Sequence, residues 1–306
     1  MPLLDLPDEL LLLIIESLDN EKDILSFLLT NSRIYGIQQM GPLYAYNIKF
    51  SGSSSLLWYT EIGYKSSVEA LLDKGADLEC KAGDWETPLI LAALHGHRHI
   101  AKLLIEKGCD LESKDRQGRT ALRHAFNAEY QDIMVLLLEK GCDILCEGSW
   151  TAIGTAAENG YEGVVRLLLE RGAHIESRDG NSRTPLGCAA MEGHEDVVGL
   201  LLEKGSDIES RDCDGQTPLG CAVINGHEGV VRMLLEKGAD FEYKSSIGVT
   251  PLMSAVRWGY ADIVQLLLEN GADAGCKYWD GNTLPELASR HRHTEVLKVL
   301  LENGAC

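Results

Sequence analysis

Three histidines lie close together in the segment HGHRH, as His95, His97 and His99. Histidines at this spacing are side chains that could bind zinc or another transition metal. His97, however, directly follows a glycine, and so do His194 and His227, which are separated by 227 − 194 = 33 residues. A histidine that recurs at one place of a repeated unit indicates a structural hydrogen bond. We therefore predict that His97 is structural and that the chain binds no metal.

Other residues that could support chemistry occur without the spacing that the chemistry needs. Cys142 and Cys146 lack a second pair of cysteines or histidines at the spacing of a zinc site. The sequence has no glycine-rich loop of the type that holds phosphate groups. The paired acids Glu236 and Asp240 recur with the repeated unit, which is typical of a solvated face. We therefore expect no enzymatic activity and no cofactor.

These histidines belong to a sequence segment that recurs along the chain. TPLGCAAMEGHEDVVGLLLEKGSD begins at Thr184, and close copies begin at Thr217 and Thr250. The intervals are 217 − 184 = 33 and 250 − 217 = 33 residues. A constant period of this size indicates stacked repeats, in which each unit buries its apolar face against its neighbours.

Each repeat is predicted to form two helices. Thr184 is suited to the N-cap of the first helix and Pro185 to its first turn. Gly193 separates the two helices, and Gly205 follows the second one, where glycine commonly ends a helix. The residues of 197–202 place an apolar stripe on the second helix. The polar run before the next threonine then predicts a turn.

This unit resembles the ankyrin repeat, because it has Thr-Pro-Leu, then Gly-His nine residues after the threonine, then three leucines before Gly-Ala-Asp. The resemblance implies an all-α solenoid of helix pairs with β-hairpin fingers, and a concave binding face built from the fingers and the first helices. Residues 46–82 are interpreted as a connector and a degenerate first repeat. Residues 83–306 are interpreted as seven repeats, which begin at Thr87, Thr120, Thr151, Thr184, Thr217, Thr250 and Thr283.

Residues 1–45 do not follow the repeat and are predicted to form three short helices. Their segment LPDELLLLIIESLDNEKDILSFLLTNSRIYGI resembles an F-box, and the order of segments is similar to that of the F-box and ankyrin proteins of filamentous fungi. The resemblance implies a small F-box-like domain that binds the Skp adaptor. The alternative is that these helices only cap the first repeat. The adaptor-binding residues would be Leu6, Pro7, Leu10, Ile14, Leu18 and Ile24.

The net charge and the longest apolar run near the start of the chain indicate which kinds of partner are unfavourable. The chain has 28 Lys plus Arg against 47 Asp plus Glu, for a formal net charge of −19. Such a charge argues against nucleic acids and against anionic membranes as general partners. The apolar run Leu10–Ile15 is too short to cross a bilayer, and no signal peptide surrounds it.

Nine cysteines are an odd number, and several recur at the same place of a repeat, as Cys188 and Cys221 do. This pattern predicts small buried side chains instead of a disulfide framework. We therefore expect a cytoplasmic or nuclear location, and a monomer outside any complex.

These features predict a substrate-recognition subunit of a cullin-RING (SCF-type) ubiquitin ligase, with the F-box on the Skp adaptor and the repeats on an unknown target protein. The alternative is a non-catalytic ankyrin scaffold or inhibitor. We predict that Arg257, Trp258, Trp279 and Arg290 form one target-binding cluster, with Trp150 as a second anchor, because tryptophan and arginine are enriched at binding hot spots. The predicted target-binding residues are His95, Arg116, Arg119, Trp150, Met191, Ile224, Arg257, Trp258, Trp279 and Arg290.

Overall fold

A computed structural model describes residues 52–81, 83–144, 151–278 and 281–304 of the chain. Within these ranges the chain forms sixteen α-helices and no β-strand. The helices are α1 (Gly52–Glu61), α2 (Lys65–Asp73), α3 (Pro88–Leu94), α4 (Arg98–Glu106), α5 (Ala121–Asn127), α6 (Gln131–Glu139), α7 (Ala152–Glu158), α8 (Glu162–Glu170), α9 (Pro185–Glu192), α10 (Glu195–Glu203), α11 (Pro218–Asn225), α12 (Glu228–Glu236), α13 (Pro251–Trp258), α14 (Ala261–Glu269), α15 (Leu284–Arg290) and α16 (Thr294–Glu302).

The chain divides into two compact units, Met1–Cys142 and Asp143–Cys306. The described part of the first unit contains helices α1–α6, and that of the second contains α7–α16. The helices of both units follow one another as pairs joined by a short turn. The pair α1–α2 lies where the sequence predicts a degenerate first repeat. None of the helices in the described ranges is long and apolar enough to cross a membrane.

Seven first helices begin directly after a threonine. In each case the threonine Oγ1 accepts a hydrogen bond from the backbone N–H three residues later, at 3.1–3.4 Å. These bonds satisfy backbone donors that a helix cannot pair internally. The N-cap role predicted for Thr184 is therefore confirmed. The capping residues are Thr87, Thr120, Thr151, Thr184, Thr217, Thr250 and Thr283.

The segment before each threonine is here called the finger, and four of the described fingers are closed turns. In the fingers 115–119, 179–183, 212–216 and 245–249, the backbone N–H of the first residue donates to the carbonyl of the fifth at 3.0 Å. The β-hairpins implied by the resemblance appear in these four fingers as short turns without strands. The only bridge in the described ranges is an isolated antiparallel one between Lys277 and Thr283.

Helices of successive repeats pack side by side within each unit. In the second unit the first helices α7, α9, α11, α13 and α15 contact one another in order, and so do the second helices α8, α10, α12, α14 and α16. Ala189 and Ala190 are fully buried, and such small residues let neighbouring first helices approach closely. On α10, Val198 and Leu201 are fully buried, as the predicted apolar stripe requires, whereas Leu202 is only half-buried.

The recurring histidines join each repeat to the one before it. His97 Nε2 donates to the carbonyl of Glu61 at 2.9 Å, and His227 Nε2 donates to that of Met191 at 2.8 Å. His194 makes the equivalent bond to the carbonyl of Glu158 at 2.9 Å. The prediction that these histidines are structural is confirmed, because each ring ties one helix pair to a carbonyl 36 residues earlier.

The glycine between the two helices of a repeat makes room for this histidine. Gly193 ends α9 with φ of 79°, and a Cβ built on it would lie 2.5 Å from His227 Nδ1. Gly205 has φ of 88° as well, but a Cβ there would meet nothing within 4 Å. The two glycines therefore share a backbone requirement and differ in their contact with the next repeat.

Gly193→Ala should lower the free energy of unfolding by about 1–3 kcal/mol, since alanine is strained at this φ and its methyl group must displace the His227 ring. Gly205→Ala is the matched control, with the backbone cost but without the clash. Urea denaturation of the three proteins measures the difference. Equal losses in the two variants would show that the contact with His227 contributes nothing.

Candidate functional site

The finger 115–119 shows how a repeat holds its own turn. Asp115 Oδ1 accepts the N–H groups of Gln117 and Arg119, both at 2.8 Å. Asp115 Oδ2 accepts Arg119 Nε at 2.8 Å and His124 Nε2 at 2.9 Å. Burial alone would raise the pKa of Asp115, but the bonds from the Arg119 backbone, His124 and the Arg119 guanidinium outweigh it and lower the pKa to about 2.

The finger 179–183 repeats this arrangement in the second unit. Asp179 Oδ1 accepts the N–H groups of Asn181 and Arg183, both at 2.8 Å. Asp179 Oδ2 accepts Arg183 Nε at 2.9 Å. The Arg183 guanidinium also donates to Met191 Sδ at 2.8 Å. An arginine directly before the threonine thus neutralises the aspartate that begins the finger.

The next finger, 212–216, keeps the aspartate and lacks the arginine. Asp212 Oδ1 accepts the N–H groups of Asp214 at 2.9 Å and Gln216 at 2.8 Å, so the turn is the same. The arginine position holds Gln216, whose Oε1 accepts the Tyr243 hydroxyl at 2.6 Å. No group within the described ranges donates to Asp212 Oδ2. The second carboxylate oxygen of this finger is therefore left for a donor from outside.

A groove of about 360 Å³ lies beside Asp212, between the fingers 212–216 and 245–249 and the ends of helices α9 and α11. It combines apolar side chains with two carboxylates, and none of its lining residues carries a positive charge. Ile247 at the tip of its finger is 69% exposed, which is unusual for so large an apolar side chain. The lining residues are Met191, Asp212, Asp214, Gln216, Cys221, Ile224, Asn225, Ser246 and Ile247.

Two of the predicted target-binding residues, Met191 and Ile224, line this groove. Both side chains are half-buried, and both backbone carbonyls accept hydrogen bonds from other residues of the chain. The Met191 carbonyl accepts His227 Nε2, and the Ile224 carbonyl accepts the Tyr260 hydroxyl at 3.5 Å. The backbone at these two residues is therefore held in place, and part of each side chain remains accessible.

Three other predicted residues lie in the first unit. Arg116 is exposed and pairs with Asp84 of the preceding finger at 3.6 Å. Arg119 is half-buried, and its guanidinium is engaged by Asp115 and Gln117 within its own finger. His95 is exposed at the end of α3, where its ring stacks on His97 with centroids 6.2 Å apart.

The cluster predicted near the end of the chain is described only in part. Trp258 is 53% exposed at the end of α13. The neighbouring Arg257 is exposed and donates to the Tyr278 hydroxyl at 3.3 Å, and Arg290 is exposed at the end of α15. Trp150 and Trp279 lie outside the described residues. Whether the four side chains meet therefore stays a prediction.

The adaptor-binding prediction falls wholly on residues that the structure does not describe. These are Leu6, Pro7, Leu10, Ile14, Leu18 and Ile24.

Sequence reasoning missed Asp212. The signal for Asp212 is present in the sequence, because Asp115 and Asp179 each precede an arginine by four residues, whereas Asp212 precedes Gln216. The chemical meaning of that substitution appears only when the arginines are seen to bond to the aspartates.

No group of three or more histidine, cysteine or acidic side chains that could hold a metal ion occurs in the described ranges. Seven cysteines in those ranges are free, and five of them are buried. Burial raises the pKa of both Cys188 and Cys221 to about 12, so these thiols stay protonated at neutral pH. The prediction that the recurring cysteines Cys188 and Cys221 are small buried side chains is confirmed.

Stacked helix pairs with closed fingers beside their first helices define a helical repeat protein. The family model of ankyrin repeats matches residues 56–148, 145–212, 205–278 and 244–306. The matches cover most of the chain, which therefore belongs to the ankyrin-repeat family, and its repeats are a protein-interaction domain. No curated protein matches the sequence.

Proposed function

We propose that this protein is the substrate-recognition subunit of a cullin-RING ubiquitin ligase. Residues 1–45 would bind the Skp adaptor and thereby the cullin complex, and the repeats would hold the target protein. The observation that supports target binding is the groove beside the fingers 212–216 and 245–249, which has partly exposed apolar side chains and two carboxylates in its lining. The adaptor half is supported by the F-box-like sequence of residues 1–45. The protein would work in the cytoplasm or nucleus.

A second candidate is a plain ankyrin scaffold or inhibitor, in which residues 1–45 cap the first repeat. The matched family supports this candidate, since the match begins at residue 56 and assigns nothing to the segment before it. Both candidates use the repeats to bind a protein. They differ in whether the segment 1–45 has a partner of its own.

Leu10→Asp should separate the two candidates. A charge at the centre of an apolar contact costs several kcal/mol, so recovery of the Skp adaptor in a pull-down should fall at least tenfold while the thermal midpoint of the protein stays unchanged. If the segment is only a cap, the adaptor is absent from both samples and the midpoint falls instead. If the variant recovered as much adaptor as the wild type, the proposed contact would be wrong.

Trp258→Ala serves as the complementary variant in the same cells. It leaves residues 1–45 intact, so adaptor recovery should match that of the wild type. Proximity labelling should lose proteins that the wild type labels, because Trp258 is among the exposed predicted target-binding residues. Unchanged labelling with a lowered thermal midpoint would show that Trp258 is a packing residue.

A further inference from the structure

We infer that the groove beside the finger 212–216 binds an arginine side chain of the partner protein, with its guanidinium on Asp212 Oδ2 and its stem between Met191, Ile224 and Ile247. This inference rests on the proposed protein binding by the repeats and names the chemistry of the bound segment. The partner would present a basic segment that carries at least one arginine.

The first argument comes from comparing three fingers of the same chain. Asp115 and Asp179 each hold a guanidinium on Oδ2, at 2.8 and 2.9 Å. Asp212 has the same backbone bonds on Oδ1 and no donor on Oδ2 within the described ranges. The chain thus contains two examples of the ligand that this carboxylate oxygen accepts. At the third finger, this oxygen is open to a donor from another molecule.

The second argument is the charge around the groove. Asp214 adds a second carboxylate, and its side chain has no partner among the described residues. Two arginines adjoin the groove, and both bond to other groups. Arg183 pairs with Asp179 and donates to Met191 Sδ at 2.8 Å, and the Arg211 guanidinium lies 5.5 Å from the centre of the Tyr243 ring and donates to the Lys244 carbonyl at 3.1 Å. The lining residues of the groove themselves carry two negative charges and no positive one.

The third argument is the apolar wall. Met191, Ile224 and the 69% exposed Ile247 surround the two carboxylates. An arginine has an apolar stem that such side chains cover, and a planar fork that can donate to two carboxylates at once. A lysine would place a single ammonium group there, without the planar pair of donors that a guanidinium offers. The combination favours arginine over other cations.

Gln216→Arg tests the inference by restoring the internal arginine of the other fingers. The neighbouring finger 179–183 already carries this residue, so the turn itself accepts it, and its arginine should occupy Asp212 Oδ2. The change also removes the acceptor of the Tyr243 hydroxyl, so the thermal midpoint of the variant must be measured beside its binding. Asp212→Asn removes the charge while its side-chain oxygen can still accept the two backbone bonds of the turn. Asp240→Asn is the matched control, since this exposed aspartate makes the equivalent turn bond to the Glu242 N–H at 2.9 Å away from the groove.

The probe is a phage library of random nonapeptides selected on the full-length wild-type protein, with counter-selection on Gln216→Arg. The selected peptides should be enriched in arginine, and replacing that arginine by citrulline should weaken binding at least tenfold in fluorescence polarisation. Asp212→Asn and Gln216→Arg should weaken it equally, and Asp240→Asn should not. In the Asp212→Asn protein the citrulline change should have little further effect, because the two changes remove one contact.

Selection of peptides without arginine, no enrichment over the counter-selection, or unchanged affinity for Gln216→Arg would each overturn the inference. Thermal midpoints of all variants show whether the repeats remain folded. The proposed function is tested separately by adaptor recovery and proximity labelling. Loss of the arginine preference with intact labelling would therefore remove this inference and leave the proposed function standing.

Discussion

Leu201→Ala is expected to lower the free energy of unfolding by about 2–5 kcal/mol, because it leaves a cavity in a packed core. Leu201 is 0% exposed on α10, and α10 packs against α8 on one side and α12 on the other. Since repeats stabilise one another through neighbouring contacts, a cavity here weakens two junctions. Urea denaturation followed by circular dichroism measures the loss.

Leu301→Ala is the control for this prediction. Leu301 lies on α16 and is 57% exposed, so the same change of side chain should cost less than about 1 kcal/mol. A loss at Leu301 as large as that at Leu201 would contradict the role of burial between repeats.

Asp115→Asn is expected to lower the free energy of unfolding by about 2 kcal/mol at neutral pH and to change its pH dependence. The Asp115 side chain is 0% exposed, and its pKa is lowered from 3.8 to about 2. A carboxylate with a lowered pKa stabilises the fold at pH values above its unfolded pKa of about 4. That contribution is lost as the pH falls through 4 toward 2, because the group must then be protonated.

The measurement is urea unfolding of the wild type and the variant at pH 6, 4 and 3. The stability difference should shrink as the pH falls, since the wild type loses the contribution that the variant never had. Asp214→Asn is the control, because that exposed carboxylate makes no side-chain bond in the described ranges and its removal should leave the stability unchanged. A difference that stays constant from pH 6 to pH 3 would contradict the account.

Local features of the fold could be predicted because their causes lie within one repeat. A threonine before a proline caps a helix through its own hydroxyl, and a glycine after the helix adopts a positive φ that other residues avoid. The recurrence of histidine at the 33-residue period predicted a structural hydrogen bond, but its acceptor, the carbonyl 36 residues earlier, appears only in the structure. The shape of the fingers could not be predicted in this way, since a five-residue turn and a short pair of strands have similar sequences.

The candidate site was only partly predictable. Met191 and Ile224 were among the predicted target-binding residues, and both line the groove. Asp212 was missed, because the feature that matters is a missing partner, and a missing partner is visible only beside fingers that possess it. Arg119 was found by residue type, yet its guanidinium is already bound by Asp115.

By itself, the amino-acid sequence determined the repeat period, the helix starts and ends, and the membership of this chain in the ankyrin-repeat family. These features depend on neighbours within a few residues or at a constant interval. Only the tertiary structure decided which side chains form bonds within the chain and which remain accessible to a partner. Leu300 is buried while Leu301 is exposed, because burial depends on which side of a helix its neighbours cover. Asp179 is paired while Asp212 is open, because Arg183 folds back onto the aspartate of its own finger, and Gln216 at the same place does not.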